Sequence, residues 1–200
     1  MPGPYERFDD SDAADLIRDY PLAWVQAASG ANGPGALLPL LAERDERGAV
    51  AALVGHMARR NPLFKALSQE PRAAILFQGP HGYISPSWVR DRSWAPTWAY
   101  AHLRVAADIH FDPEATDGAL AALVEAMEDG RPDRWRIAEM GPRYQRLKRA
   151  IIAFRAEVLE IRGCFKLCQD ERPEILADIL THLPDPALAA WIRRFNRDRS

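Results

Sequence analysis

The rest of the chain is organised around one aromatic stretch, Gly79-Pro-His-Gly-Tyr-Ile-Ser-Pro-Ser-Trp-Val-Arg-Asp-Arg-Ser-Trp-Ala-Pro-Thr-Trp-Ala-Tyr100. These twenty-two residues hold three tryptophans and two tyrosines, and three prolines restrict the backbone. Hydroxyl groups and arginine stand among the rings. Aromatic faces beside a few polar groups are typical of a pocket for a planar cofactor. The alternative is an aromatic loop that only covers one end of a barrel.

Short apolar segments on both sides of this stretch predict strands, and segments with helical periodicity come mostly later in the chain. The predicted strands are Pro21–Gln26, Ala36–Leu41, Ala49–Val54, Arg72–Gln78, Trp98–Asp108, Phe154–Ile161 and Cys164–Gln169, the last two joined at Arg162–Gly163. Helices are predicted after Ser11, after an Asn61–Pro62 cap, around Leu120–Met127, from Pro142 with Tyr144, Leu147 and Ile151 on one side, and at Pro173–Leu183 and Pro186–Phe195. Roughly seven strands with helices inserted late predict an α+β fold built on a β-barrel. We expect a single domain over residues 1–200, with a C-terminal helical segment over 173–200.

The composition argues against several classes of protein. Apolar residues make up 48% of the chain, yet no apolar run approaches the roughly 18 residues of a membrane-spanning helix. The N-terminus is acidic and broken by prolines, unlike a signal peptide, so we expect a cytoplasmic protein. A net charge of −2 argues against a protein that coats nucleic acid. The charge is uneven, however: Arg131–Arg155 has eight Lys or Arg against two acids, and the last seven residues carry three arginines. Either stretch could contact phosphate, and a solvated helix face is the commoner explanation.

The two cysteines, Cys164 and Cys168, do not suit a disulfide. In a strand they lie about 13 Å apart, at about 3.3 Å per residue, which exceeds the reach of the bond. In the same strand Phe165 and Leu167 face one way, and Lys166 faces the other way together with both cysteines. We therefore expect the cysteines to be small buried residues.

No dinucleotide-binding glycine motif, phosphate-binding loop or nucleophile elbow occurs in the sequence. A nucleotide cofactor would therefore be held by strands and loops of the barrel. The candidates are Arg59, Ser85, Ser87, Arg90, Thr97 and Lys166 for a phosphate, and Trp88, Trp98 and Tyr100 for a ring. His56 has several open interpretations: a metal or haem ligand, an acid or base, a donor to a flavin, or a structural side chain that hydrogen-bonds the turn. No nucleophile–base pair is identified.

Three segments together resemble the signatures of the PaiB family, whose members are described as FMN-binding negative transcriptional regulators. They are Gly55–Pro62, then Gly79–Trp88 with Ala95–Tyr100, then Gly163–Gln169. The Tyr20–Ala23 and Leu38–Leu41 pieces also fall in the expected order, so the resemblance runs from about Tyr5 to Leu183.

The resemblance implies a split β-barrel like that of the pyridoxamine-phosphate-oxidase-like flavoproteins, with peripheral and C-terminal helices. It also implies a homodimer with FMN near the subunit interface. Carried over position by position, it predicts cofactor contacts from His56, Arg59, Asn61, Ser85, Ser87, Trp88, Thr97, Trp98, Lys166 and Gln169. Lys166 and Arg59 suit the phosphate, and Trp88 or Trp98 would flank the ring. A regulator also needs DNA, for which the basic stretch Arg131–Arg155 is the candidate surface, since no helix-turn-helix is recognised.

The sequence departs from the family pattern at several positions. Leu37 stands where the family often has histidine, and Ala99 replaces an asparagine. Cys164 and Cys168 replace a lysine and a serine of the last motif, and the loop between Trp88 and Trp94 is shortened. These changes remove partners for a phosphate or a ring, so they bear directly on the affinity for FMN.

Two alternatives follow from the same residues. Piperazate synthases, haem-dependent enzymes that form a nitrogen–nitrogen bond, are similar in the Gly163-x-Phe165-Lys166-Leu167 motif and have a histidine that corresponds to His56. In that interpretation the cofactor is haem b and His56 is the iron ligand. The other alternative is a barrel without a cofactor that serves as an interaction protein.

Overall fold

Six strands and six α-helices form the part of the chain that the computed structural model describes, residues 3–28 and 33–197. The strands are β1 (Leu22–Ala27), β2 (Gly35–Arg44), β3 (Val50–Ala58), β4 (Arg72–Ile84), β5 (Thr97–Asp112) and β6 (Ile151–Lys166). The helices are α1 (Asp10–Asp19), α2 (Pro62–Gln69), α3 (Thr116–Glu128), α4 (Arg143–Lys148), α5 (Pro173–His182) and α6 (Pro186–Phe195), with short 3-10 helices at Pro86–Trp88 and Ile137–Met140. Asn61 caps α2 as predicted, because its side chain accepts a hydrogen bond from the amide of Leu63 at 3.0 Å.

The strands close into a barrel in the order β1-β2-β3-β6-β5-β4. The alternation of small or apolar residues with exposed ones sets the inward face of each strand. On β1, Ala23, Val25 and Ala27 are buried. Full closure leaves no free strand edge, which explains why ten-residue and longer strands are accommodated here. The barrel confirms the α+β class predicted from the sequence.

The chain divides into two compact units, and β4, β5 and β6 each contribute to both. The barrel unit comprises residues 10–77 and 104–161. The C-terminal unit comprises residues 3–9, 78–103 and 162–197 of the described chain. No helix in the described ranges is long and apolar enough to span a membrane.

The barrel unit has a dense core that leaves no room for a side chain at Gly55. Leu40, Leu53, Phe77 and Phe154 are fully buried there. A Cβ at Gly55 would lie 2.5 Å from Leu40 Cδ2 and 2.9 Å from Phe154 Cζ. Glycine is therefore required at Gly55 by the close approach of β2, β3 and β6.

An aromatic cluster forms the core of the C-terminal unit. The Phe165 ring stacks on Phe195 with centroids 4.7 Å apart, and it also contacts Phe8 and Trp191 at 5.2 and 6.0 Å. Stacked and tilted rings at these separations stabilise a core beyond the area that they bury. Helices α5 and α6 complete the unit with Ile179, Leu188 and Ile192, all fully buried.

The predicted break at Arg162–Gly163 is wrong, because β6 runs through it without interruption. The glycine is needed for packing: a Cβ at Gly163 would lie 2.8 Å from Phe8 and 2.9 Å from Phe165. The two predicted last strands are thus one, and the barrel has six strands instead of about seven.

Three other predicted boundaries are corrected. Gly79–Ile84 belongs to β4 instead of the aromatic loop. In this part of the strand Leu188 packs against Gly82, where a Cβ would lie 2.8 Å from the leucine side chain. His56 lies within β3, where it pairs with Ala153 of β6, and not after the end of the strand. Ile151 begins β6 opposite Ala58, so it does not continue the face of α4.

The two cysteines are free, in agreement with the spacing argument. Cys168 does not lie in a strand, because β6 ends at Lys166 and the backbone of Cys168 adopts φ +64°. Its side chain is 4% exposed, so it does not share the half-buried side of Cys164 and Lys166. The predicted alternation ends with the strand.

Candidate functional site

The ten predicted cofactor contacts divide between the two units. His56, Arg59 and Asn61 belong to the barrel unit. The other seven belong to the C-terminal unit: Ser85, Ser87, Trp88, Thr97, Trp98, Lys166 and Gln169.

Lys166 and Thr97 form the polar centre of the predicted set in the C-terminal unit. The Lys166 ammonium donates a hydrogen bond to Thr97 Oγ1 at 2.7 Å, and both side chains are half-buried. No carboxylate in the described ranges pairs with Lys166. A partly desolvated ammonium without a counter-ion favours an anionic ligand, and the hydroxyl offers a second hydrogen bond.

The exposed ring of Trp98 follows Thr97 on β5, and the exposed ring of Tyr83 on β4 contacts it. Trp98 is 54% exposed and Tyr83 is 47% exposed, and their rings meet edge to face at 5.9 Å. Two exposed rings in contact form an apolar patch, and such patches mark ligand-binding or interaction surfaces. Tyr83 was missed by the sequence analysis, although its place on β4 in the aromatic stretch was the available signal. Trp88 is half-buried in the short helix Pro86–Trp88, and Tyr100 stacks on His102 at 6.0 Å.

Hydrogen bonds attach the segment that leads to Thr97 to the middle of α5 and to the residues just before this helix. The backbone amide and the Nε of Arg90 both donate to the Asp178 carboxylate at 3.0 Å. The Trp94 indole donates to Glu171 at 2.9 Å. The Asp178 carboxylate is 8% exposed, and the hydrogen bond from the Arg90 amide lowers its pKa. Arg90, a candidate for the phosphate, is thus engaged in holding this segment.

Several predicted contacts have hydrogen bonds that position the backbone. The two serines of the Pro86–Trp88 helix share a hydrogen bond, since Ser85 Oγ and Ser87 Oγ lie 2.7 Å apart. The Gln169 amide accepts from the amide of Leu167 at 2.7 Å and donates to the carbonyl of Phe165. Gln169 thereby shapes the chain just after Lys166. As contacts to a cofactor, Ser85, Ser87 and Gln169 stay predictions.

His56 lies on β3 with a buried and unsatisfied nitrogen. Its Nδ1 has no hydrogen-bond partner in the described part of the chain. Burial lowers the pKa of the imidazole, so the ring is neutral at physiological pH. His56 Nδ1 therefore does not make the hydrogen bond to the turn that a structural role of this side chain would involve. Arg59 follows at the end of β3, where it is exposed and lines an apolar cavity of the barrel unit.

The departures from the family pattern have definite environments. Leu37 is 58% exposed on β2, and Ala99 is 1% exposed on β5. The charge interaction with Cys164, then burial, then a hydrogen bond to the same cysteine raise the pKa of the Tyr100 phenol. Burial raises the pKa of the Cys168 thiol to about 12, so this cysteine is unreactive.

The basic stretch Arg131–Arg155 is partly neutralised by acids from outside it. Its ion pairs in the described structure are Arg131–Glu128 at 3.6 Å, Arg134–Glu125 at 3.3 Å, Lys148–Asp117 at 2.7 Å and Arg155–Glu43 at 2.8 Å. Half of its eight cations are therefore paired, and the positive field is weaker than the sequence count indicates. Binding of DNA to this stretch stays a prediction.

Residues 1–160 match a family described as "Putative FMN-binding domain". The chain belongs to this FMN-binding family. The Bacillus subtilis "Protease synthase and sporulation protein PAI 2" is 27% identical over 134 residues, which cover 66% of this chain and 64% of that protein. An uncharacterized protein of Saccharomyces cerevisiae, YKL070W, is 28% identical over 88 residues, covering 40% of this chain and 52% of its own length. The predicted PaiB-type family is thus confirmed, and the chain spans less than two thirds of either curated relative.

Solved structures with the same fold include proteins that carry flavin and haem. The FAD and heme binding protein from Mycobacterium smegmatis superposes with a TM-score of 0.61 at 18% identity, covering 81% of this chain and 73% of its own. The flavocytochrome Anf3 from Azotobacter vinelandii gives 0.58 at 16% identity, covering 80% of this chain and 69% of its own. At these identities the likeness concerns the fold, and it confirms the predicted split barrel.

The lowered pKa of His56 predicts a specific dependence of stability on pH. The unfolded chain protonates this ring near pH 6.5, whereas the folded chain does so only at lower pH. Between those values the unfolded state binds more protons, so the free energy of unfolding falls as the pH drops below about 6.5. The His56→Gln variant lacks this loss. Urea unfolding of both proteins between about pH 8 and about pH 5 measures this effect. In the acidic range, the free energy of unfolding of the wild type should fall relative to that of the variant. A constant difference in free energy across that range would contradict the prediction.

Proposed function

We propose that the chain binds FMN, with the phosphate on Lys166 and Thr97 and the flavin ring beside Trp98 and Tyr83. The observation that carries the proposal is the half-buried Lys166 ammonium, which bonds the Thr97 hydroxyl and has no carboxylate partner in the described residues. The match of residues 1–160 to an FMN-binding family supports the choice of this ligand.

The chemistry of this group of residues fits a flavin monophosphate. A phosphate dianion needs a cation and hydrogen-bond donors, which Lys166 and Thr97 provide. The isoalloxazine ring is planar and needs apolar faces, which Trp98 and Tyr83 present next to Thr97 along β5 and β4. The hydroxyls of Ser85 and Ser87 lie on the segment that follows Tyr83. Because Cys164 and Cys168 stand where the family motif has lysine and serine, Lys166 is the remaining cation of that motif.

When bound, FMN supplies transfer of electrons or hydride. In this proposal the residues of the chain bind and orient the group. Lys166 holds negative charge at the phosphate, and the aromatic rings exclude water from one face of the flavin. The link from Arg90 to Asp178 keeps Thr97 in place, because it fixes the segment that precedes it. No group for proton transfer is assigned.

A haem-binding function is the second candidate, and His56 favours it. A neutral imidazole is the form that ligates iron, and burial keeps His56 neutral. Its Nδ1 is buried without a hydrogen bond, so the ring is not committed to a structural contact through that atom. We infer that, if haem b binds, His56 is the iron ligand.

We further propose that two copies of the chain pair through an apolar row on the outside of the barrel unit. Trp24 on β1 lies directly opposite Leu37 on β2 and opposite Leu76 on β4. These three side chains are 42%, 58% and 40% exposed. Leu22, two residues before Trp24 on the same face, is 54% exposed. The same uncharged apolar row on a second copy would cover these side chains in a symmetric interface. Such pairing agrees with the dimer that the family implies.

For FMN, Lys166→Gln should weaken binding by about 10- to 100-fold, because it removes a charge-assisted hydrogen bond. Thr97→Val should weaken it by about 3- to 10-fold, the usual loss for a neutral hydrogen bond. Dissociation constants come from calorimetric titration of flavin-free protein. Lys65→Gln makes the same chemical change at an exposed position on α2 and should leave the affinity unchanged. Equal affinities for Lys166→Gln and the wild type would remove the phosphate assignment, and no FMN binding by the wild type would remove the proposed function.

For the dimer, Leu37→Glu combined with Leu76→Glu should convert the protein to a monomer. Both side chains point outward, so the substitutions spare the core, while burying carboxylates in an interface raises the dissociation constant by about a hundredfold or more. Sedimentation velocity measures the change. Leu159→Glu is the matched control, since Leu159 is 49% exposed on β6, away from the row. A monomeric wild type, or a control that dissociates equally, speaks against this interface.

For haem, His56→Ala should remove the axial ligand from the reconstituted protein. The Soret band, which lies at about 400 nm in the absorption spectrum, should then shift. His110→Ala, at an exposed histidine on β5 of the same unit, should leave the spectrum unchanged. A haem complex whose spectrum survives His56→Ala would show that the iron has another ligand.

A further inference from the structure

We propose that a cavity in the barrel unit binds a small amphipathic anion, a molecule with an aromatic or other apolar body and one anionic group. The cavity lies between α3 and the segment Ile137–Lys148, and we call it the α3–α4 cavity. All of its lining residues belong to the barrel unit, whereas Lys166 and Thr97 belong to the C-terminal unit. Arg59, one of the ten predicted cofactor contacts, also lines the α3–α4 cavity. The FMN site proposed above, on Lys166 and Thr97, does not include Arg59, so the inference goes beyond the binding of FMN and does not rest on it.

The α3–α4 cavity has the size and surface of a small-molecule site. Its volume is about 680 Å³, within the range of about 300 to 1,000 Å³ that is usual for such sites. The apolar wall comprises Leu120, Val124, Trp135, Ile137, Met140 and Leu147. Only Thr116 and Ala119 of α3 are buried, so the apolar face of this helix is not filled by the core. Covering that face with an apolar ligand would be favourable, because it removes apolar surface from water.

Hydrogen bonds at both ends of α3 join this helix to the later residues that complete the cavity. At its start, the Asp117 carboxylate accepts hydrogen bonds from the Tyr144 hydroxyl and from the Lys148 ammonium. At its end, Arg134 donates to the carbonyl of Glu125 at 3.2 Å, and the amide of Trp135 donates to Glu128 at 3.2 Å. These contacts are satisfied by the chain itself, so the cavity is preformed and a ligand need not open it.

The charge at the cavity selects the sign of the ligand. Four cationic residues line it, Arg59, Arg60, Lys148 and Arg149, and none of the described residues that line it is acidic. Lys148 is paired with Asp117 at 2.7 Å. Among the described residues, the three arginines have no ion-pair partner. An anion bound there would gain charge-assisted hydrogen bonds from guanidinium groups, and a carboxylate, sulfonate or phosphate would each satisfy them.

The matched probes are 8-anilinonaphthalene-1-sulfonate and N-phenyl-1-naphthylamine, which share one aromatic body and differ by the sulfonate. Fluorescence titration of flavin-free protein should give one site per chain for the sulfonate probe. The affinity for that probe should fall with added salt, while the affinity for the neutral probe should stay constant. Equal affinity for both probes, or affinity independent of salt, would overturn the assignment of an anionic ligand.

Two sets of variants locate the site. Arg60→Gln with Arg149→Gln should weaken the sulfonate probe by about tenfold or more and change the neutral probe by less than about twofold. The control, Arg143→Gln with Arg146→Gln, removes two exposed cations from α4 that do not line the cavity, and it should change neither affinity. Val124→Trp fills the cavity and should abolish binding of both probes, with circular dichroism to check folding. The arginine variants lie on the surface, so they test the site even where Val124→Trp fails to fold.

Other occupants give different results, and each would overturn the proposal. If a second copy of the chain covers the cavity, the sulfonate probe fails to bind the dimer, and Val124→Trp dissociates it in sedimentation velocity. If the cavity is part of the flavin site, saturating FMN abolishes calorimetric binding of the sulfonate probe. Unchanged binding of the sulfonate probe in the presence of FMN supports the proposal. This result is independent of whether Lys166→Gln alters the affinity for FMN, so the two proposals can fail separately.

Discussion

The fold depends on strand β6 running unbroken through sixteen residues, and this requires a glycine at Gly163. In the barrel unit, β6 pairs with β3 over seven residues, from Ala52 opposite Glu157 to Ala58 opposite Ile151. In the C-terminal unit the same strand supplies Phe165 to the aromatic cluster and ends at Lys166. A side chain at Gly163 would collide with Phe8 and Phe165 at under 3 Å. The missing Cβ at Gly163 thus lets β6 pass close to the aromatic cluster three residues before it ends at Lys166.

Sequence reasoning worked where the determinants are local. The Asn61–Pro62 cap, the helices after Pro173 and Pro186, and the buried Phe165 and Leu167 follow from neighbouring residues alone. The predicted break at Gly163 was wrong because glycine often marks a turn, whereas here it makes room for Phe165 and for two residues distant in the chain, Phe8 and Leu103. The lesson is that a glycine within an apolar alternation deserves a packing explanation before a turn is assumed.

The candidate site was recovered less completely, since its polar partners come from far along the chain. Arg90 appeared to be available for a phosphate, but its partner Asp178 lies 88 residues away. The α3–α4 cavity was missed altogether. The apolar periodicity around Leu120–Met127 predicts the helix, but it does not show what covers the apolar face, which depends on hydrogen bonds of Asp117 and Glu128 to a later segment. The count of charges in the basic stretch also omits distant partners, because the acids that pair with Arg131 and Arg155 lie outside it.

The left-handed backbone at Cys168 has a practical consequence for the chemistry of this protein. It turns one of the two thiols of the chain into the interior, where its pKa of about 12 keeps it from reacting. Cys164 remains, half-buried on the same side of β6 as Lys166 and about 7 Å from it, at about 3.3 Å per residue. The natural sequence therefore offers a single attachment point for a thiol-directed fluorophore or spin label. A reporter placed there would sense the occupancy of the Lys166 site without any substitution in the chain.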